Sequence, residues 1–287
     1  MISRPAFVRR ILSKTTAALT GIVIAVVSGA VVFPFFWMIT NSIKTKEEIW
    51  AVPPQLFPAV PQWHNYADAL SDGIFFRYMS NSIYVSVILT VIVLFNSAMF
   101  AYAITQIRFR GRRILFLLVM MTYIMPSAST YVPCYIILAR LNLIDTHLGY
   151  AVSCAASIFN IFFFRQTFLQ INRSVIEAAR MDGAGHWTIL WEVMAPMSAS
   201  AFAALGILSF IDNYNSYLWP SLIIKTRAKY FVSLGLRAFF SGQGAYGIKW
   251  GAIMAACCVV ILPLFLIFAI GERWIVLGIT SDSAIKE

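Results

Sequence analysis

The chain has 287 residues, is 60% hydrophobic and 12% charged, and carries a formal charge of +10. That charge content is about half the soluble average, and the apolar residues gather into long runs, which excludes a soluble globular class. Much of the positive charge clusters beside those runs without acids, which is a topological pattern rather than a nucleic-acid surface. A bilayer core of roughly 30 Å needs about 20 apolar residues per helix. Six runs reach that length: 17–39, 83–104, 114–138, 148–169, 199–224 and 250–270. Lipid cannot pair backbone N–H and C=O groups, so helices are the expected form, and the alternation of a membrane β-barrel is absent. The expected fold is therefore an all-α membrane protein with six transmembrane helices in a single domain, 1–287.

In chain order, residues 1–14 carry Arg4, Arg9, Arg10 and Lys14. The first span follows, with Pro34 near its outer end. It is too long for the apolar core of a signal peptide and lacks a small-residue cleavage pattern, so it reads as retained. Residues 40–82 form an external segment rich in Pro, Trp and acids, with a short helix expected around Trp63–Leu70. The second span ends at Arg108-Phe-Arg110-Gly-Arg112-Arg113. The third carries Pro126 and Pro133 and should be kinked or broken. The fourth leads to the polar segment 170–198, and the fifth holds Asp212-Asn213-Tyr214-Asn215. The sixth leaves a tail, 271–287.

The two short basic clusters place both termini and the 170–198 loop in the cytoplasm. Counting every Lys and Arg on that topology leaves 13 inside and 9 outside. The outer loop 225–249 opposes the bias with Lys225, Arg227, Lys229, Arg237 and Lys249, but long loops translocate with less regard to charge. Cys134, Cys154, Cys257 and Cys258 lie in apolar spans without metal-site spacing and read as small core residues. His64, His147 and His186 share no metal-ligand spacing. No phosphate-binding loop is present, since Gly244-Ala-Tyr-Gly247-Ile-Lys249 has the wrong spacing. The chain thus offers no catalytic residue, no metal site and no cofactor site.

The segment 172–196 is too long to be a mere turn. Asn172 or Ser174 can cap a helix over 175–182, and Glu177 three residues after Ser174 makes a capping box. Gly183 and Gly185 flank Ala184, and one of them should take a left-handed turn conformation. A second helix, about 186–195, carries Trp187, Leu190, Trp191 and Met194 on one face, and Pro196 marks entry into the fifth span. On the residues alone this bracket is either a docking surface or an amphipathic helix resting on lipid headgroups.

Asp212 is the one acid expected well within a span, where an Asp costs roughly 2.5–3.5 kcal/mol on insertion scales. With Asn213, Tyr214, Asn215, Asn96 and Asn160 it offers planar polar groups and aromatic faces of the kind that bind sugars. The same side chains could instead hydrogen-bond between helices or to a partner subunit.

Glu177-Ala178-Ala179-Arg-Met-Asp182-Gly183, followed by Val193-x-Ala195-Pro196, resembles the EAA loop of inner-membrane permease subunits of binding-protein-dependent ABC importers. Within that group it is similar to the carbohydrate branch, of maltose and glycerol-phosphate type, and to the second, smaller permease of the pair. Further matches are Pro34-x-x-Trp37-Met, Ser42-x-Lys44, Asn65-Tyr66, Asn81-Ser82, Ala101-Tyr102-Ala103, Phe109-Arg-Gly111, Asn215-x-Tyr217-Leu-Trp-Pro220 and Leu277-Gly-Ile-Thr280. The chain departs from the pattern at Ala195, where Leu is usual, at Tyr214, where Trp is usual, and in the tail Asp282-Ser-Ala-Ile-Lys286.

The resemblance implies a type I importer permease with no enzymatic activity of its own. Its coupling helix, Glu177 to Gly183, would sit in a cleft of a cytoplasmic ATPase dimer that binds ATP and Mg. The implied partners are a second permease in a heterodimer, that ATPase dimer, an extracytoplasmic solute-binding protein and membrane lipid, with no nucleic acid. The implied solute is a di- or oligosaccharide. A self-sufficient secondary transporter or channel is the alternative. It would call for inverted repeats or several intramembrane coupling residues, which are not seen here. A membrane-embedded enzyme would need more than Asp212 in its core.

Overall fold

The computed structural model describes residues 6–71, 73–241 and 249–280; the tail motif 282–286 and the Gly244–Gly247 pattern lie outside them. Among the described residues all regular structure is helical. The helices are α1 (Ala6–Ser42), α2 (Lys46–Ile49), α3 (His64–Leu70), α4 (Ile74–Gln106), α5 (Arg112–Tyr123), α6 (Ser127–Arg140) and α7 (His147–Ser153). They continue with α8 (Ile158–Gln170), α9 (Arg173–Met181), α10 (His186–Met197), α11 (Ala199–Asn215), α12 (Leu218–Ile223), α13 (Val232–Ser241) and α14 (Trp250–Thr280). The chain forms two compact units, one of residues 1–72 and 243–259, the other of 73–242 and 260–287.

Three helices are long and apolar enough to cross a bilayer alone, and the count reaches six if each of three bent pairs is one span. The single spans are Leu19–Ser42, Ile74–Gln106 and Trp250–Trp274. The pair α5–α6 bends by 105°. Pro126 stands immediately before α6 with extended ψ, whereas Pro133 is accommodated inside that helix. The first proline therefore makes the break. The expected continuous span 148–169 is instead α7 and α8, bent by 48° with no proline between them. Ser157 caps the second piece by accepting from the Asn160 N–H at 3.3 Å. The expected span 199–224 is also divided: α11 stops at Asn215, and α12 begins afresh at Leu218. It is α10 and α11 that make the third bent pair, at 83°. The last helix continues ten residues past the expected span end at 270, to Thr280.

In the first unit, buried polar groups finish α1 and secure the segment after it. Asn65 Nδ2 donates to the carbonyls of Ser42 and Lys44, both at 3.0 Å. The Ser42 carbonyl ends α1 and the Lys44 carbonyl lies just past it, so neither has a partner within that helix. Lys44 is itself buried and donates to Asn41 Oδ1 at 2.8 Å and to the Gln55 carbonyl, with its ammonium 4.7 Å from the centre of the Trp37 ring. Ser42 and Tyr66 share a hydroxyl hydrogen bond of 2.8 Å. A Cβ at Gly251 would lie 2.5 Å from Asn65 Nδ2, so only glycine lets the two approach. The short segments Ser42-x-Lys44 and Asn65-Tyr66 are thus two halves of one lock.

In the second unit, α4 is the central helix, with α8 and α11 packed along it. One apolar cluster joins Val85, Leu89 and Val93 of α4 to Leu138, Tyr150, Trp219, Ile223 and Phe231. The Trp219 ring stacks on Tyr131 with centroids 5.2 Å apart and donates to Ser153 Oγ at 2.8 Å. The basic stretch after α12 is pinned rather than free. Asn81 Nδ2 holds the carbonyls of Ala228 and Tyr230 at 3.0 Å, and Ser82 Oγ accepts from the Val232 N–H at 2.8 Å.

Asp145, in a left-handed conformation in the turn between α6 and α7, is the anchor of that stretch. It accepts from the Lys225 and Thr226 N–H groups at 2.8 and 2.9 Å, from Thr226 Oγ1 at 2.6 Å and from Lys229 Nζ at 3.2 Å. Burial alone would raise its pKa, but the Thr226 hydroxyl and the surrounding N–H donors hold the carboxyl well below the usual carboxylate range. A lowered folded-state pKa contributes stability that is complete above the unfolded value of about 3.9 and is lost as pH falls toward the folded one. Asp145→Asn is expected to cost about 1–2 kcal/mol near neutral pH. Apparent unfolding midpoints in detergent should show the gap between parent and variant closing below about pH 4.

Candidate functional site

The bracket between α8 and α11 begins at Asn172, whose side chain accepts from the Ser174 N–H at 3.0 Å and caps α9. The helix therefore starts at Arg173, two residues before the expected 175, and Ser174 lies inside it rather than capping a box with Glu177. Glu177 pairs instead with Arg173 at 3.4 Å, one turn earlier. Both side chains are largely exposed, and an exposed i,i+4 pair contributes only about 0.3–0.5 kcal/mol. It can be exchanged for another partner at little cost.

The end of α9 is a Schellman turn. Ala184 N–H donates to the Ala179 carbonyl at 3.0 Å, and Gly183 N–H to the Arg180 carbonyl at 3.1 Å. Gly183 takes φ +85°, the left-handed conformation this motif requires; Gly185 is extended. Residues 189–194 of α10 are wound as a π-helix, in place of the expected α-helical stripe over 186–195. The Ala195 N–H bonds five residues back, to Leu190. Pro196 has no N–H to offer the carbonyl four residues before it, and a wider turn just ahead relieves that mismatch. The rewinding buries Ile189, Leu190 and Met194 and leaves Trp187 exposed.

These side chains, with Ile176 of α9, join a buried cluster containing Ala98, Ala101 and Tyr102 of α4, Phe164 and Phe168 of α8, and Leu205 of α11. Trp191 stacks on Phe95 with centroids 5.3 Å apart. Tyr102 OH shares a hydrogen bond of 2.7 Å with His186 Nδ1 just past the turn, and Arg180 donates to the Gln106 carbonyl at 3.4 Å. The base of the bracket is therefore welded to three long helices. Its outer edge is open: Glu177, Ala178, Asp182 and Gly183 are exposed, Ala179 is half-buried, and Met181 is 89% exposed at the tip. The edge is open while the base is packed into the helix core.

The six polar residues of the spans do not converge. Asn160 is buried and donates to Ser209 Oγ at 2.8 Å, while Asn213 donates to the Ser209 carbonyl on its own helix. Tyr214 is fully buried and donates to the Val260 carbonyl at 3.0 Å. Asn96 donates to the Ala155 carbonyl at 3.0 Å, in the break between α7 and α8. Asp212 and Asn215 lie exposed in the last turn of α11, at the helix end rather than mid-span. Residues that sequence reasoning did not single out include Asp145, His186 and Ser209. Only the flanking turn residues hinted at the first, and nothing in the local sequence pairs His186 with Tyr102 or Ser209 with Asn160.

Bent apolar helices around one long central helix, bearing a rigid polar bracket, define a membrane transport subunit. The chain belongs to the family of binding-protein-dependent transport system inner membrane components, which matches residues 73–280. It is 30% identical to the arabinooligosaccharides transport system permease protein AraQ of Bacillus subtilis, over 86% of this chain and 88% of that one. It is also 30% identical to the sn-glycerol-3-phosphate transport system permease protein UgpE of Yersinia enterocolitica, over 88% of this chain and 92% of that one. The diacetylchitobiose uptake system permease protein NgcG of Streptomyces coelicolor is 31% identical, over 90% of this chain and 85% of that one. A chain in the crystal structure of a bacterial ABC transporter involved in the import of the acidic polysaccharide alginate has the same fold. Its TM-score is 0.79 over 95% of this chain and 99% of that one, at 24% identity.

The turn gives a direct test. A Cβ on Gly183 would meet nothing within 4 Å, so Gly183→Ala strains only the backbone, at about 1–2 kcal/mol. Amide exchange across residues 178–184 should accelerate in Gly183→Ala and less in Gly183→Asn, because Asn tolerates the left-handed region better.

Proposed function

We propose that this chain is the second, smaller permease of a carbohydrate ABC importer and forms half of the solute path beside a partner permease. The 170–198 loop and both termini face the cytoplasm on this reading. Residues Glu177 to Gly183 seat in a cleft of a separate ATPase dimer that binds ATP and Mg. Closure of that dimer drives the bracket, and α4, α8 and α11 with it, between inward- and outward-facing states. An extracytoplasmic binding protein delivers the solute to the opposite face.

The observation that carries this reading is the division of α9 into a buried base at Ile176 and an exposed edge from Glu177 to Gly183. A helix that merely rested on headgroups would have no need of a base locked into three other helices. The names of the curated relatives cover two oligosaccharide-type solutes and glycerol 3-phosphate, which supports a sugar or sugar derivative here. Of the six span residues Asn96, Asp212 and Asn215 are exposed; the Asn96 amide is taken by the Ala155 carbonyl, and we assign path lining to Asp212 and Asn215. Asn96, Asn160, Asn213 and Tyr214 then hold helices in place.

Glu177→Ala should leave the unfolding midpoint of the purified subunit nearly unchanged. It should weaken capture of the purified ATPase partner, and lower solute uptake, by about tenfold or more. Full uptake by this variant would refute the coupling assignment. Uptake measured with arabino-oligosaccharide, diacetylchitobiose and glycerol 3-phosphate would set the solute class. Asp212→Ala should raise the apparent KM for that solute while ATPase capture stays at the parental level. An unchanged KM would remove Asp212 from the path.

A further inference from the structure

Beside the bracket, six arginines gather around two adjoining cavities. The larger, about 830 Å³, is lined by Arg108, Arg112, Arg173 and Arg180, together with Gln106 and His186. The smaller, about 350 Å³, is lined by Arg112, Arg113 and Arg165. Arg112, Thr105 and Leu169 line both, so the two spaces share a wall. Among the described residues Glu177 is the one acid lining them, and it is taken up by Arg173.

Two of these arginines are placed by the fold. Gly111, at φ +90°, turns the chain so that α5 begins at Arg112, which is half-buried. Arg165 of α8 is half-buried too, with its guanidinium 4.2 Å from the centre of the Phe116 ring. Cations that line one recess repel one another, and an anion among them offsets that repulsion, while the stack on Phe116 fixes Arg165 in place. The other side of the smaller cavity is apolar. Phe116, Leu117 and Leu169 line it, and Ile114, Leu117 and Leu169 are 65%, 55% and 54% exposed. A ligand that fits here has an anionic head for the arginines and a hydrocarbon chain for α5.

We infer that this arginine-lined recess binds the phosphate headgroup of an anionic phospholipid, with an acyl chain lying along the exposed apolar side of α5. Basic pockets between helices at a membrane face are suited to such headgroups. A free phosphate ion would use the arginines but leave the apolar wall without a partner. The larger cavity adjoins the coupling edge through Glu177 and Arg180, whereas Arg112 of α5 and Arg165 of α8 lie off α9, so changes at these two test lipid binding without altering the edge.

The test uses the full chain purified together with its partner subunits in phosphatidylcholine nanodiscs doped with phosphatidylglycerol, followed by native mass spectrometry of retained lipid. The parent assembly is expected to retain phosphatidylglycerol in preference to phosphatidylcholine. Arg112→Gln/Arg165→Gln should lower that retention by about tenfold, and Arg112→Lys/Arg165→Lys should keep more of it, because the charges remain while the stack on Phe116 is lost. Arg227→Gln, in the stretch after α12, should change nothing. Equal retention of both lipids by the parent, or undiminished phosphatidylglycerol in the Gln variant, overturns the proposal. Displacement of the lipid by inorganic phosphate alone would make this a simple anion site and overturn it also. So would loss of the ATPase subunit from the Gln variant with lipid retention unchanged, which would assign the arginines to a protein contact. If the Gln variant does not assemble, lipid retention by the Lys variant decides between a charge-held lipid and none.

Discussion

The seam in which Ile176, Ile189, Leu190 and Met194 meet Ala98, Ala101, Phe164, Phe168 and Leu205 is the contact on which the rest depends. It is apolar and closely packed, with Ala98, Ala101 and Leu205 fully buried. Packed interiors do not deform continuously, so on the proposed coupling a displacement imposed on the bracket would move α4, α8 and α11 as a set. Without that seam the α9 edge would be a polar loop able to bend by itself. The π-helical turn of α10 belongs to the same arrangement. It lets Pro196 stand between bracket and span while Ile189, Leu190 and Met194 still face inward.

Polar side chains serve a second purpose in this fold. Where a helix breaks within an apolar setting, its freed carbonyls must find donors inside the protein. Asn96 supplies one at Ala155; Tyr214 instead ties α11 to the Val260 carbonyl within the unbroken α14. At the ends of helices Asn65 serves Ser42 and Lys44, and Asn81 serves Ala228 and Tyr230. The amide nitrogen of an asparagine carries two hydrogens, so it can hold two carbonyls at one point. The motifs Asn65-Tyr66 and Asn81-Ser82 are thus interlocks rather than ligand contacts. The basic stretch after α12 has a similar explanation. Its cations look unopposed when read along the chain, yet Asp145 takes Lys229, and in the first unit Asp68 takes Lys249 at 2.9 Å.

Much was legible from one sequence because the bilayer imposes a strong one-dimensional constraint. Long apolar runs can only be spans or parts of spans, and the all-helical architecture follows. The bracket was legible because its signals are local: Asn172 before a helix, glycines after it, apolar residues at helical spacing. Local rules were also where detail slipped. Asn172 and Ser174 were both competent caps, and the choice fell to the residue whose use lengthens the helix. Breaks in apolar runs were legible only with a proline. The bend at 154–157 has none, because its carbonyl is satisfied from Asn96, about sixty residues away in sequence.

Sequence by itself determined the membrane class, the approximate spans, a left-handed glycine at 183 or 185 and the family, since each of these is written in neighbouring residues. Tertiary structure alone decided which polar residues were free. Asn160 and Tyr214 are consumed by Ser209 and the Val260 carbonyl, whereas Asp212 and Asn215 are left exposed. Hydrogen-bond partners across helices follow from where helices bend and pack, and no periodicity along the chain records that.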